Sequence, residues 1–134
     1  MPVEQVLDSH ALLKLLRDET GAGAVADILE KAGQRDQPVH MTEVNYAEVQ
    51  YMVRRKDGEA AWKSIASELV TAPIQFHAAD RRLADLAAEF KARFKMSLAD
   101  AFAAALAKDK SAELVTGDPE FKALEREIKI RWIT

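Results

Sequence analysis

The sequence predicts an α/β fold with a parallel sheet, and two observations carry that prediction. Short runs of β-type residues alternate with longer stretches of helical period, the pattern that successive βα units produce. Turn residues punctuate the alternation at Thr20 and Gly21, across residues 33–38, and at Asp57 and Gly58. The 134 residues are expected to form one domain, since the chain is long enough to bury one core and too short for two typical ones.

Strands are expected at residues 3–7, 39–41, 74–76, 114–116 and 128–133. The last reads IKIRWI, with Ile128, Ile130 and Trp132 on one face at period two, which suits an edge strand. Between the strands run helical stripes: Val25, Ile28, Leu29 and Ala32; Trp62, Ile65, Ala66 and Leu69; Leu83, Leu86, Ala87 and Phe90. In the segment MTEVNYAEVQYMV, Thr42 is placed to cap a helix whose apolar stripe is taken as Val44, Ala47, Tyr51 and Met52.

Composition removes several function classes. Apolar residues make up 49% of the chain, far from the signature of disorder. A net charge of −3 provides no global basic field, which argues against tight nonspecific binding of nucleic acid. An enzyme that meets nucleic acid through a local basic patch, or through cations held by its own acids, stays open. The absence of cysteine excludes disulfides, thiolate zinc sites and cysteine nucleophiles. The start MPVEQVLD lacks the basic and apolar regions of a signal peptide, and the longest apolar run, residues 101–107, falls short of the ~20 residues a membrane helix needs. A soluble, unexported protein is expected.

Four acids stand out. Asp8 closes the first strand and Asp118 follows the fourth in LVTGDPEF, so both are expected at the carboxyl edge of the sheet, where ligands of open α/β folds bind. Glu48 falls within the stripe assigned to its helix, where a carboxylate needs a partner; Asn45, three residues earlier, is placed to supply a hydrogen bond to it or to a bound water. Asp100 lies near the start of SLADAFAAALA, otherwise apolar from Leu98 to Ala107. If the four converge, two unit charges 4 Å apart repel by about 4 kcal/mol at an effective dielectric of about 20. Such a cluster keeps protons or holds a cation, and an all-oxygen donor set selects hard ions such as Mg²⁺ or Mn²⁺. Singly, the acids also have structural readings: Asp118 before Pro119 is a helix-start signature, Ser97 with Asp100 resembles a capping box, and Asp8 suits a turn or cap.

In order and spacing, LDSHALLKLLRDETGA, MTEVNYAEV, SLADAFAAALA and LVTGDPEFKALE resemble the PIN-domain nucleases, and within them the VapC-type toxins of toxin–antitoxin systems. The resemblance covers nearly the whole chain. It implies a three-layer α/β/α sandwich with a central parallel sheet, and a metal site at the sheet's carboxyl edge to which Asp8, Glu48, Asp100 and Asp118 correspond. Thr116 matches a hydroxyl position associated with that site. Where related chains often read Asp-Thr or Asp-Ala, Ser9 and His10 follow the first acid here, with Ser9 placed to cap the helix. The implied activity is Mg²⁺- or Mn²⁺-dependent hydrolysis of RNA by a cytoplasmic toxin, with a separately encoded antitoxin as partner and a homodimer as the assembly. The rival reading is a noncatalytic PIN-like module that docks a protein at the same edge; the intact acidic quartet argues against it.

Other features are set aside. GAGAVA at residues 21–26 fits a dinucleotide fingerprint but follows a helix instead of a strand. His10, His40 and His77 lack metal-ligand spacing and read as structural or exposed. Arg54, Arg55 and Lys56, with Arg81, Arg82, Lys91, Arg93 and Lys95, read as solvated helix faces before phosphate contacts, and Trp62 and Trp132 as core or interface. A phosphoacceptor receiver domain would carry Lys-Pro after its last strand, where this chain has IKIRWIT.

Overall fold

The computed structural model describes residues 3–133. Strand β1 (Gln5–Leu7) leads to helices α1 (Ser9–Leu16) and α2 (Ala22–Gln34), then β2 (Val39–Thr42), α3 (Glu43–Asp57), α4 (Glu59–Thr71) and β3 (Ile74–His77). Helices α5 (Arg81–Arg93) and α6 (Leu98–Asp109), strand β4 (Glu113–Thr116), a 3₁₀ helix (Pro119–Leu124) and β5 (Ile130–Trp132) complete the described chain. All strand pairs are parallel, in the order β3-β2-β1-β4-β5. The five expected strands all form, and β5 is an edge strand. The first begins at Gln5 and the last spans Ile130–Trp132, each shorter than its sequence run, because parallel pairing is satisfied only over that register.

Alternation along the strands builds the two outer layers. Val6 and Leu114 face α5, α6 and the 3₁₀ helix, where Phe90, Leu106, Phe121 and Leu124 are fully or almost fully buried. Leu7, Met41 and Val115 face the opposite way, into a core with Leu12, Val25, Val49 and Trp62 from α1 through α4. The fold is therefore the expected α/β/α sandwich. Residues 101–107 are all buried because α6 packs against α5, α3 and the sheet at once; Leu98, one turn earlier, stays half exposed.

The stripe expected for α3 is a correction. Tyr51 and Ala47 are exposed, and the buried residues are Asn45, Val49 and Val53, which recur at four-residue spacing. Asn45 is polar, so the sequence pattern hides the face it anchors. Gly58 has φ 94°, a left-handed conformation that joins α3 directly to α4 and favours glycine there. No helix among the described residues is long and apolar enough to cross a membrane.

This topology fixes where a site can form. From β1 the chain winds outward through β2 and β3, then crosses back to β4 on the other side of β1. The switch point between β1 and β4 opens a crevice at the carboxyl ends of those two strands. Asp8 and the Thr116–Asp118 turn flank it.

Candidate metal centre

Asp8 is fully buried and caps α1: its Oδ1 accepts from the Ala11 N–H at 2.7 Å. Its Oδ2 accepts from the Thr116 hydroxyl at the end of β4. The Thr116 Oγ1 also accepts from the Asp118 N–H at 3.0 Å, so one hydroxyl ties the two acidic turns together. Asp118 caps the 3₁₀ helix through Oδ1, which accepts from the Glu120 N–H at 2.9 Å, with Pro119 in the first turn as the sequence predicts. That leaves Oδ2 turned toward His10, whose Nε2 lies 3.6 Å away. Gly117, between Thr116 and Asp118, is required by space: a Cβ there would lie 2.7 Å from the Ile133 carbonyl oxygen.

Asp100 enters from the opposite layer. Ser97 caps α6 and accepts from the Asp100 N–H at 3.1 Å, holding Asp100 in the first turn at 5% exposure. The start of α6 is itself anchored by Asn45, whose Nδ2 donates to the Ala99 carbonyl at 3.1 Å and to the Ser9 hydroxyl at 3.0 Å. The Asn45 side-chain oxygen accepts from the Thr42 hydroxyl, and Ser9 donates back to the Asn45 carbonyl at 3.3 Å. Fully buried, Asn45 joins α1, the end of β2 and α6. Two expectations are corrected here. Asn45 is satisfied by these partners instead of bonding Glu48, and Asp8 caps α1, which leaves Ser9 in the first turn bonded to Asn45.

The electrostatics follow from burying acids together. Burial pushes the Asp8 carboxyl up to about 6. The Thr116 and Ala11 hydrogen bonds and His10 work against that rise, and Asp100 adds to it. Asp100 is also pushed up to about 6, first by burial, then by the charge of Asp118, with a smaller contribution from Glu48; His10 and Ser97 oppose it. Asp100 thus feels Asp118 and Glu48, and its own charge in turn raises Asp8. Glu48 stands at its flank, half-buried on α3.

His10 is the residue that sequence spacing missed. Its nitrogen, with one carboxylate oxygen each from Asp100 and Asp118, forms a group whose atoms all lie within 4.8 Å of one another. The three come from α1, α6 and the turn after β4, so no local spacing reveals them; the available signal is position, two residues after an acid at a strand end. His40 and His77 are structural, as expected: their rings share a 2.8 Å hydrogen bond, and the other nitrogen of His40 meets Glu4 at 3.1 Å. A shallow cleft of about 300 Å³ lined by His10, Lys14, Gly117, Asp118 and Pro119 opens beside the acids. A more enclosed cavity of about 150 Å³ lies at the other end of the sheet, near Glu4, Pro38 and Arg131. The second cavity contains no cluster of metal-ligand spacing among the described residues, so we assign no site there.

The donor set fits a hard divalent cation. Asp100 and Asp118 bring carboxylate oxygens to ligand spacing, while Asp8 and Glu48 lie outside that group and act on it through their charge; a cation would offset the burial and the lesser repulsion that raise Asp8 and Asp100. Fold and site together define an α/β protein with an acidic cluster at the switch point of a parallel sheet. The PIN-domain family model matches residues 6–127, and the chain belongs to that family.

Solved structures share the fold. VapBC2 of Rickettsia felis bound to a promoter DNA fragment superposes with a TM-score of 0.79 at 14% identity, covering 97% of this chain and 98% of that one. The sarcin–ricin-loop-cleaving toxin VapC20 of Mycobacterium tuberculosis gives 0.70 at 17% identity over 90% and 94%. FitAcB of Neisseria gonorrhoeae gives 0.69 at 19% over 94% and 95%. No curated protein matches the sequence.

Proposed function

We propose that this protein is a Mg²⁺- or Mn²⁺-dependent endoribonuclease and the toxin of a type II VapBC-type toxin–antitoxin pair. One observation carries the reading: Asp8, Asp100 and Asp118 converge at the switch-point crevice, two of them with carboxyls raised to about 6, and Glu48 adds its charge at the flank. Asp100 and Asp118 would hold the cation, with Glu48 and Asp8 completing the acidic wall. When bound, the cation supplies Lewis-acid activation of water and charge neutralisation at the phosphate.

The chain's own residues do the positioning. Thr116 holds Asp8 and the Asp118 turn in register, and Asn45 fixes the start of α6 and with it Asp100. The RNA backbone would run along the shallow cleft beside Asp118, where Lys14 on its wall would meet a neighbouring phosphate. Water adds to phosphorus, the bond from phosphorus to the 3′ oxygen breaks, and that oxygen leaves with a proton, which gives 5′-phosphate and 3′-hydroxyl ends. Cytoplasmic action, a separately encoded antitoxin and a homodimer complete the proposal. It is supported by family membership and by the fold shared with toxin–antitoxin complexes.

The test is cleavage of an RNA panel by the purified protein with and without Mg²⁺ or Mn²⁺, beside folded Asp100→Asn and Glu48→Gln variants. Metal-dependent cutting that both variants lose, with 5′-phosphate ends, supports the reading. Ends carrying 2′,3′-cyclic phosphate would overturn the mechanism, and a protein that cuts nothing and binds no metal fits the noncatalytic docking module instead.

A further inference from the structure

The acids above form an all-oxygen set, yet a nitrogen stands among them. His10 projects from the first turn of α1 with its side chain 46% exposed, and its Nε2 lies 3.6 Å from Asp118 Oδ2. That separation is too long for a hydrogen bond. It is close to what one shared ion imposes: ligands at about 2.1 Å from a cation stand about 3 Å apart when adjacent and about 4 Å apart when opposite. The His10 nitrogen and the Asp100 and Asp118 oxygens lie within 4.8 Å of one another, so a small side-chain rotation brings all three onto one sphere. The exposed ring has room for it. Asp118 has already committed Oδ1 to capping the 3₁₀ helix, so the oxygen facing His10 is the one free to ligate.

Resting on the cation-site reading, we propose that His10 is a direct ligand of the bound ion through Nε2, and that this mixed nitrogen–oxygen set makes the site prefer Mn²⁺ over Mg²⁺. The chemistry follows from ligand hardness. Both ions accept the oxygens of Asp100 and Asp118, but Mg²⁺ demands near-ideal octahedral geometry and keeps its waters, whereas Mn²⁺, though the weakest nitrogen binder of the first transition row, gains more from an imidazole than Mg²⁺ does. Asp100 and Asp118 supply the charge that either ion needs; His10 supplies the discrimination between them. His10 lies outside the core, so its removal leaves the packing of α1 intact.

The experiment is calorimetric titration of the metal-stripped full chain with Mn²⁺ and, separately, Mg²⁺, for the wild type and for His10→Ala. It is paired with electron spin-echo spectroscopy of the Mn²⁺-loaded proteins. His10→Ala should weaken Mn²⁺ binding roughly tenfold or more, change Mg²⁺ binding much less, and abolish a nitrogen coupling seen in the wild type. Unchanged Mn²⁺ affinity in a folded His10→Ala protein, or a wild-type spectrum without nitrogen coupling, overturns the inference while leaving the acidic site standing. A wild type that binds neither ion overturns both this inference and the cation-site reading beneath it.

Discussion

Two groups of acids in this molecule meet opposite fates. On the surface joining α5 to the segment before β5, Glu127 takes two hydrogen bonds from the Arg93 guanidinium at 2.7 and 2.9 Å, with the Lys108 ammonium 3.8 Å away. Arg93 also lies over the Phe90 and Phe94 rings and reaches Glu89. Arg93 holds the Glu127 carboxyl below its ordinary value, and Glu127 raises the guanidinium in return. At the carboxyl edge of the sheet, Asp8 and Asp100 go the other way, up to about 6, opposed by hydrogen bonds and by the half-exposed His10. The fold thus partners Glu127 with arginine, whereas among the described residues neither Asp8 nor Asp100 forms an ion pair with a lysine or arginine, Lys14 lining only the cleft beside Asp118. That contrast is what the proposed cation site rests on, and it can be attacked from both sides.

The largest effect is expected at Asp100. Asp100→Asn keeps the Ser97 cap and removes the charge on which Asp118 and Glu48 act, and metal-dependent cleavage should fall by more than about a hundredfold, since even outer-shell partners of a metal site can be worth that much. Retained cleavage at a tenth of wild-type rate or better would break the contrast between the two regions.

The raised carboxyls predict an inverted pH dependence. An aspartate whose carboxyl rises from 3.8 to about 6 on folding holds its proton more tightly in the native state. Its stabilising contribution is therefore complete below about pH 3.8 and is lost as pH rises through about 6, amounting to about 3 kcal/mol for the buried Asp8. In metal-free protein, urea unfolding should show Asp8→Asn gaining on the wild type by up to that amount between pH 4 and 7. Mg²⁺ or Mn²⁺ binding to the wild type should strengthen over the same window, because the cation takes the deprotonated form. A stability difference that stays flat across pH 4–7 would contradict the shift.

Next come the supports. Asn45→Ala leaves Ser9, Thr42 and the Ala99 carbonyl without their partner, a loss of about 1–3 kcal/mol that a denaturant midpoint will report, accompanied by weaker metal binding if α6 is displaced. Gly117→Ala forces a Cβ against the Ile133 carbonyl and should cost a similar amount, with the Asp118 turn disturbed. The smallest effect belongs to the other region: Glu127→Gln breaks an exposed ion pair and should leave cleavage and metal binding unchanged, with little change in melting temperature.

Much of this was legible before the structure, and the exceptions have physical causes. All five strands show in the sequence as short β-type runs between turn signals, the inner ones mostly buried and the edge strand β5 alternating at period two. Asp8 and Asp118 announce themselves by following strands, and Asp100 by interrupting an apolar helix. The α3 face is hidden in the sequence because its first buried residue is Asn45, whose polarity is satisfied by nearby Thr42 and by Ser9 and Ala99, both distant along the chain. No local spacing exposes His10, because its neighbours Asp100 and Asp118 lie 90 and 108 residues further along the chain and are brought close by the β1–β4 pairing and the packing of α6. Local periodicity reports burial well; it is silent about which polar groups meet across layers.

The central claim, that uncompensated acids at the switch point await a cation, is tested most directly by ¹³C NMR titration of the Asp8 and Asp100 carboxyls in metal-free protein and in protein saturated with diamagnetic Mg²⁺. The account predicts midpoints near pH 6 without metal and a shift well to the acid side with it. Ordinary midpoints near 4 in the metal-free protein, or midpoints that Mg²⁺ does not move, would contradict it.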